Sequence, residues 1–228
     1  MKKLFFALSA VLALALSFSE SYAQNGRSFI RESIAKYGEC KNVAITKYNG
    51  DLMLYGDNGW AASSCPEGLT DALSELNDDA EKINDVQLTE DGSWLILWGS
   101  NGATWSNIPY DLEAKIRHYN DEGEVITSIT FNDGGDWICI TEEHISASDS
   151  RVLDWMSDGM DEYGQVWAAC VTDDAVVVVY EKGYKFMGNV PDSLKDALAE
   201  TSLDVYRIKI AGSSWFFADK YGDYRYNM

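Results

Sequence analysis

The chain has 228 residues, of which 37 are Asp or Glu and 18 are Lys or Arg, giving a formal net charge of −19 at pH 7. A surface this acidic repels phosphate backbones and anionic lipid, which argues against nucleic-acid binding and electrostatic membrane docking. Cations and basic partners remain compatible with it. The apolar content of 46% is ordinary for a globular chain, so we do not expect disorder.

The first 23 residues have the pattern of a secretory signal peptide. Lys2 and Lys3 precede the apolar run 4–18, and small residues end the segment at Ala23. No later run has the length and apolar character of a transmembrane helix. The residue directly after the cleavage position is Gln24 and not a cysteine that could carry a lipid. We therefore expect a periplasmic or secreted protein that is not inserted in a membrane.

The three prolines mark an internal repeat, because each precedes a helical pattern. Pro66 and Pro109 are 43 residues apart, and Pro109 and Pro191 are 82 residues apart, which is two steps of about 41. The repeat step between Pro109 and Pro191 has no proline and falls at Asp149-Ser150, where an Asp or Ser side chain can cap a helix instead. Proline is tolerated at the first helical position because its missing N–H would be unpaired there.

Apolar residues recur at spacings of three, four and seven after each of these positions, which is typical of a helix with one buried face. After Pro66 they are Leu69, Leu73 and Leu76. A further copy of the pattern begins at Ile30, without a proline. The sequence therefore predicts five helices.

Three strand-like runs joined by tight turns follow each helix. They are clearest in the second unit, at residues 85–89, 94–98 and 103–108, with Asn101-Gly102 before the third run. Asn-Gly between apolar runs predicts a tight hairpin in which both turn residues have positive φ. The third unit has Glu143-His144 in place of Asn-Gly, so we expect a different turn there.

The predicted fold is α+β, with five tandem αβββ repeats of about 41 residues in one domain. The units span residues 24–65, 66–108, 109–149, 150–190 and 191–228. Units of this size bury little surface alone, so neighbours are expected to share a core. They can close into a five-fold, propeller-like ring or stack as an open solenoid. Apolar strands in both terminal units, with Val43 and Ile45 in the first and Ile208 and Ile210 in the last, favour the ring.

Two resemblances follow from this pattern. Residues 94–109 closely resemble the WVILYGxNGYxYxxIP-type modules of uncharacterised secreted bacterial repeat proteins, and residues 52–66 and 180–191 resemble them more loosely. That resemblance implies no activity. The overall layout resembles the five-fold α/β-propeller of the pentein kind, whose strand order includes a parallel pairing. Penteins include hydrolases and amidinotransferases with a cysteine nucleophile near the C-terminus, a histidine and acidic groups.

The cysteines and histidines do not favour a pentein-type enzyme. Cys170, the last cysteine, lies in the apolar run 166–171, and the only histidines are His118 and His144. A reactive thiolate needs a partly exposed, electropositive environment, which so acidic a chain does not favour. We expect a buried or disulfide-linked Cys170, a surface position for His118 and a turn position for His144. The sequence predicts no catalytic residue, cofactor or metal site.

Acidic residues and one asparagine gather in the first turns, which join the first and second strand of each unit. They are Asn49 and Asp51, Glu90 and Asp91, Asp133 and Asp136, and Asp173 and Asp174. Calcium binds six to eight oxygens of this kind, but Asp, Asn and Gly also stabilise turns through their own hydrogen bonds. No twelve-residue calcium-loop signature is present, and the fifth turn has Ser213-Ser214. Solvated turns are therefore the favoured interpretation.

Aromatic residues recur at equivalent strand positions, which favours packing in the core or between units. In the functional alternative, Tyr55, Trp60, Trp98 and Trp105 form an exposed surface that binds a ligand by stacking, with acidic groups at its rim. The predicted function is a non-enzymatic binding or interaction module for a carbohydrate or a protein. The alternative is a carboxylate-dependent hydrolase on the turn-bearing face of the repeat.

Export to an oxidising compartment allows disulfides among Cys40, Cys65, Cys139 and Cys170. In a three-stranded meander Cys40 and Cys65 lie at opposite ends, roughly 20 Å apart, whereas a disulfide needs Cα atoms about 4.4–6.8 Å apart. Cys139 and Cys170 lie in the middle of strands of neighbouring units. We therefore predict no Cys40–Cys65 bridge and favour a Cys139–Cys170 bridge.

Overall fold

A computed structural model of the chain describes residues 27–47 and 50–228. In these ranges, five α-helices and five three-stranded antiparallel sheets follow one another as αβββ units, as predicted. The predicted signal peptide, residues 1–23, lies outside the described residues. None of the helices described is both long and apolar enough to cross a membrane.

The elements follow in this order. The first unit contains α1 (residues 27–37), β1 (Asn42–Ile45), β2 (Asp51–Tyr55) and β3 (Gly59–Ser63). The second contains α2 (Glu67–Asp78), β4 (Ile83–Leu88), β5 (Trp94–Trp98) and β6 (Gly102–Ser106), and the third contains α3 (Tyr110–Glu122), β7 (Ile126–Phe131), β8 (Trp137–Thr141) and β9 (Ile145–Ala147). The fourth contains α4 (Ser150–Tyr163), β10 (Val166–Val171), β11 (Ala175–Tyr180) and β12 (Gly183–Gly188). The fifth contains α5 (Asp192–Glu200), β13 (Arg207–Ala211), β14 (Ser214–Ala218) and β15 (Tyr224–Tyr226).

Each sheet is a meander, in which the three strands pair antiparallel in chain order, for example β4-β5-β6. We name the sheets first to fifth after their units. Their strands begin and end close to the predicted bounds, and β5 matches the prediction at both ends. The described strands form no parallel pair, so the sheet topology differs from the pentein arrangement.

The helices begin at the predicted signals, with a shift of one residue. Pro66, Pro109 and Pro191 each occupy the N-cap position, just before the first helical residue, and not the first helical position itself. In α4 the cap is Asp149, whose Oδ1 accepts a hydrogen bond of 2.8 Å from the Arg151 N–H. The predicted replacement of proline by a capping side chain is therefore confirmed.

The second turns, which join the second and third strand of each unit, differ in detail from the prediction. In the second unit, positive φ occurs at Gly99 and not at Asn101 or Gly102. Gly102 is needed for another reason, because a Cβ there would overlap the ring of Trp98 on the paired strand. The first unit repeats this arrangement with Gly56, Gly59 and Tyr55. The predicted hairpins are confirmed, but the explanation by two left-handed turn residues is wrong, because in these two units the loop is three residues long and only its first residue has positive φ.

We expect Gly102→Ala to lower the free energy of unfolding by about 1–3 kcal/mol, because the added methyl group forces the Trp98 ring out of its packed position. Thermal unfolding of the purified variant measures this effect. Gly68→Ala in α2 is the matched control, because its added methyl group lies at an ordinary contact distance of 3.8 Å from Trp94. Alanine is also more favourable than glycine inside a helix. Equal stability of the Gly102→Ala variant and the wild type would show that the ring contact does not constrain the turn.

Five hydrophobic clusters hold the units together, and each combines residues of one helix with residues of two sheets. In the first sheet, Leu52 and Leu54 of β2 face α2 and the second sheet, whereas Met53 between them faces α1. Because both faces of each sheet are covered, its middle strand is a continuous apolar run and not an alternating one. The predicted sharing of cores between neighbouring units is confirmed.

The cluster around α1 joins the two ends of the chain. Ile30 of α1 packs with Val43 of the first sheet and with Phe216 of the fifth sheet. The first strands contact one another in the order β1, β4, β7, β10 and β13, and β13 also contacts β1. The carbonyl oxygen of Met228 accepts a hydrogen bond of 3.3 Å from Arg31 in α1. The first and last units therefore lie side by side.

All four cysteines are unpaired thiols. Cys139 packs in the cluster of α3, between the second and third sheets, whereas Cys170 packs in the cluster of α5, between the fourth and fifth sheets. Because these side chains face different interfaces, the favoured Cys139–Cys170 bridge is wrong. Cys40 and Cys65 also pack in different clusters, those of α1 and α2.

Candidate functional site

The five first turns surround one cavity of about 500 Å³, which we call the first-turn cavity. Its wall includes the ends of the five first strands: Ile45, Leu88, Phe131, Val171 and Ile210. Turn residues that follow these positions form its rim. Every unit contributes, so the repeat places five equivalent turns around a single space.

Most first turns are closed by a hydroxyl or amide side chain at their first position. The Thr89 hydroxyl donates to the carbonyl oxygen of Ser93 over 3.0 Å, and the Asn132 Oδ1 accepts the N–H of Asp136 over 2.8 Å. Thr172 has the same role in the fourth unit. These side chains stabilise their own turns, in agreement with the solvated-turn interpretation.

Hydrogen bonds also connect the first turns of neighbouring units. The N–H of Asp91 donates to Oδ1 of Asp133 over 2.9 Å, which joins the second unit to the third. The side-chain amide of Asn132 donates to the carbonyl oxygen of Thr172 over 3.2 Å, which joins the third unit to the fourth. The rim is therefore a connected structure and not a set of independent loops.

Carboxylates outnumber cations at the first-turn cavity. Glu90, Asp133, Asp173 and Asp174 line it, and Lys47 is the one basic residue among its described lining residues. The backbone N–H of Lys47 donates to the Glu90 carboxylate. Within residues 27–47 and 50–228, no group of three or more His, Cys, Asp or Glu side chains is placed to hold a metal ion. This charge distribution favours a positively charged ligand.

Asp51 stands at the start of β2, directly after the first turn of the first unit. Burial raises the pKa of Asp51 to about 6, while Arg27 acts to lower the pKa and Glu90 acts to raise it. This carboxyl group therefore changes its protonation near neutral pH. Asn49, which sequence analysis placed in the same turn, lies outside the described residues.

A buried ion pair lies further along the first strands. The Nζ atom of Lys209 in β13 is 2.7 Å from Oδ1 of Asp85 in β4, and these side chains are only 7% and 2% exposed. Asn42 donates to the same Oδ1 over 2.6 Å, and Gln87 donates to Oδ2 over 3.2 Å. The ion pair and its hydrogen bonds link the fifth, first and second units.

Sequence analysis did not find this ion pair. Lys209 stands between Ile208 and Ile210 in an apolar strand, and a charged residue in such a position indicates a buried partner. Its partner Asp85 is 124 positions away, and Asp85 begins a run that otherwise reads as an ordinary strand. The position of Lys209 carried a signal, but nothing local identified the partner.

The four aromatic residues predicted as a ligand surface are half-buried, and none lines the first-turn cavity. Trp60 and Trp98 pack against the cluster of α2, Trp105 against that of α3, and Tyr55 against that of α1. Tyr55 also stacks on Tyr37, with ring centroids 4.0 Å apart. The structure thus spreads them over three interfaces, and their role in ligand binding stays a prediction.

The thiol and imidazole groups are not arranged as a nucleophile and its base. Burial raises the pKa of the Cys170 thiol to about 11, which opposes formation of the reactive thiolate. His118 is exposed on α3, as predicted. His144 lies in the second turn of the third unit, where its ring Nδ1 is 3.0 Å from Oε2 of Glu124. Its backbone N–H donates to the Thr141 hydroxyl.

A scan against models of known protein families gives no match to the chain, and a search of curated protein sequences gives no significant match.

Proposed function

We propose that this protein is an exported, non-enzymatic binding module whose five units close into a ring and hold a ligand at the first-turn cavity. The observation that carries the proposal is the convergence of all five first turns on one cavity. Concave sites with a few converging polar groups are the usual form of a ligand site, and loops carried by a rigid scaffold commonly supply them.

Two contacts between the first and fifth units, and an ion pair between the fifth and second units, support closure of the ring. Helix α1 packs between the first and fifth sheets in the same way that each later helix packs between two consecutive sheets. Strand β13 contacts β1. Lys209 of the fifth unit is paired with Asp85 of the second unit. An open solenoid would leave its two end units without such contacts.

The charge of the cavity supports a protein ligand that presents a lysine or arginine side chain. Four carboxylates and one lysine line the described rim, and the whole chain carries a net charge of −19. Electrostatic complementarity of this kind accelerates association and selects basic partners. The carbohydrate surface predicted at Tyr55, Trp60, Trp98 and Trp105 has less support, because these rings lie at three separate interfaces.

We expect the double variant Asp133→Asn/Asp173→Asn to bind penta-lysine about tenfold more weakly than the wild type, because two rim charges are lost while the side-chain shapes are kept. Titration calorimetry at a fixed salt concentration measures the dissociation constant. The control is Asp154→Asn/Asp158→Asn, which removes the same charge from exposed positions of α4. That control should bind within about twofold of the wild type, because neither residue lines the first-turn cavity and both side chains are exposed, so that salt screens their charges.

Equal weakening by the rim variant and the α4 variant would contradict the proposal, because binding would then follow net charge alone. A different outcome would favour the hydrolase alternative. Asp51, with a pKa raised to about 6 by burial, has the protonation behaviour of a general acid, and Glu90 lies close enough to influence it. Hydrolysis of a glycan or peptide probe that Asp51→Asn abolishes would replace the binding proposal with that enzyme.

A further inference from the structure

Three cations stand at the opposite end of the first strands from the first-turn cavity. Lys41 immediately precedes β1, Lys82 immediately precedes β4, and Arg207 is the first residue of β13. Strand β1 contacts both β4 and β13, so the three residues lie at the same end of three adjacent strands. We call them the strand-start cations.

Contacts and charge effects show that these side chains are close together. The Nζ atom of Lys41 donates to the carbonyl oxygen of Ile83, the residue after Lys82, over 2.7 Å. The pKa of Lys41 is lowered to about 8, chiefly by burial and also by the nearby charges of Lys82 and Arg207, whereas those of Asp57 and Asp85 act in the opposite direction. Lys41 is therefore held beside two like charges in a half-buried position.

None of the strand-start cations forms an ion pair with a carboxylate in the part of the chain that the structure describes. Of the two carboxylates whose charges act on Lys41, that of Asp85 is already paired with Lys209, and that of Asp57 lies beyond ion-pair distance. Among the residues that the structure describes, the Arg207 guanidinium donates only to the carbonyl oxygen of its neighbour Tyr206, over 2.7 Å. Most of the described Lys and Arg side chains likewise form no ion pair, so it is the adjacency of three cations, and not the missing partner of any one of them, that leaves local positive charge for an external anion to offset.

We infer that Lys41, Lys82 and Arg207 form a binding site for an oxyanion, either a free inorganic ion or the acidic group of a sugar. Arginine offers a planar fork of N–H donors that matches an oxyanion, and lysine offers a compact point charge. A bound anion would offset the repulsion among the three cations. The site is separate from the first-turn cavity and does not depend on the function proposed there.

An aromatic pair beside Arg207 is suited to the sugar form of this ligand. Tyr206 stacks on Trp167 of β10, with ring centroids 4.6 Å apart, and both side chains are half-buried. Lys220 lies 5.4 Å from the Tyr206 ring and adds a fourth cation to this end of the strands. An acidic sugar could place its carboxylate at the strand-start cations and its ring against the aromatic pair.

The test measures binding of sulfate, phosphate and galacturonate to the mature protein by titration calorimetry, with sodium chloride adjusted to constant ionic strength. We expect saturable binding of at least one of them, and a loss of about tenfold or more in affinity in Lys82→Gln/Arg207→Gln. Lys182→Gln/Arg225→Gln removes the same charge from exposed positions elsewhere and should bind within about twofold of the wild type. Raising the pH from 7 to 9 should weaken the binding of sulfate and galacturonate, whose own charges stay constant over this range, because Lys41 loses its charge on passing through its pKa of about 8.

Circular dichroism first confirms that each variant is folded, and Lys82→Gln alone replaces the double variant if the latter is not, since Lys82 is exposed. Tenfold tighter binding of galacturonate than of sulfate or phosphate would identify an acidic sugar as the ligand class. Equal or tighter binding of the inorganic ions would identify a free oxyanion. The inference fails if the wild type binds none of the three probes, or if the control variant loses as much affinity as the strand-start variant.

Discussion

Replacing Lys209 with Met is expected to lower the free energy of unfolding by about 3–5 kcal/mol, the range measured when one partner of a buried ion pair is removed. The Asp85 carboxylate is 2% exposed and would lose the Nζ atom that now lies 2.7 Å from it. Hydrogen bonds from Asn42 and Gln87 would remain, but they do not neutralise the charge. Chemical denaturation of the purified variant measures the loss.

The double variant Lys209→Met/Asp85→Asn separates this electrostatic effect from loss of packing. It removes both charges, while the Asn side-chain oxygen can still accept the hydrogen bond that Asn42 now gives to Asp85. We expect it to recover at least half of the stability lost in Lys209→Met, because no uncompensated charge stays buried. A double variant less stable than Lys209→Met would contradict this explanation and would assign the loss to packing of the lysine side chain.

The fold could be predicted well from the sequence because its determinants are local. The run at residues 94–98 has turn residues on both sides, and it forms β5 with those bounds. Asp149 lies at the repeat position where proline is missing, and it caps α4. Local signals of this kind repeat five times, so an error in one unit is corrected by comparison with the others.

Features that depend on which units meet could not be predicted in the same way. Cys139 and Cys170 are in neighbouring units, but strand alternation directs them to different clusters, and a one-residue change of register would reverse the face of either side chain. The pairing of Lys209 with Asp85 spans 124 positions and connects units that are not consecutive. The pattern of residues along the chain does not indicate which residues so far apart in sequence come into contact.

The candidate site was predicted only in part. Sequence analysis identified the acidic residues of the first turns, such as Asp133 and Asp173, but interpreted each turn separately. Their convergence on one cavity depends on the five first strands meeting side by side, which is a property of the assembled units. The aromatic residues pack as the favoured interpretation predicted, since the Trp98 ring lies over Gly102. They do not lie together in one surface.

The central claim is that five units close into one cooperative ring, and a truncation tests it when paired with a circular permutant. The permutant joins Met228 to residue 27 and opens the chain between α2 and β4, at residues 79–82. Its new linker is feasible because Met228 contacts Arg31 of α1. Since it keeps all five interface clusters, we expect it to fold and to unfold in a single transition.

Deletion of residues 190–228 from the protein with its natural chain order removes α5 and the fifth sheet. It thereby removes both the α5 cluster and the fifth-sheet side of the α1 cluster. It also removes Lys209 and so leaves Asp85 without its partner. The closed ring predicts that the truncated chain shows no cooperative thermal transition, whereas the permutant melts as one unit. A truncated chain that melts sharply near the temperature of the full-length protein would contradict closure and would establish an open array of independent units.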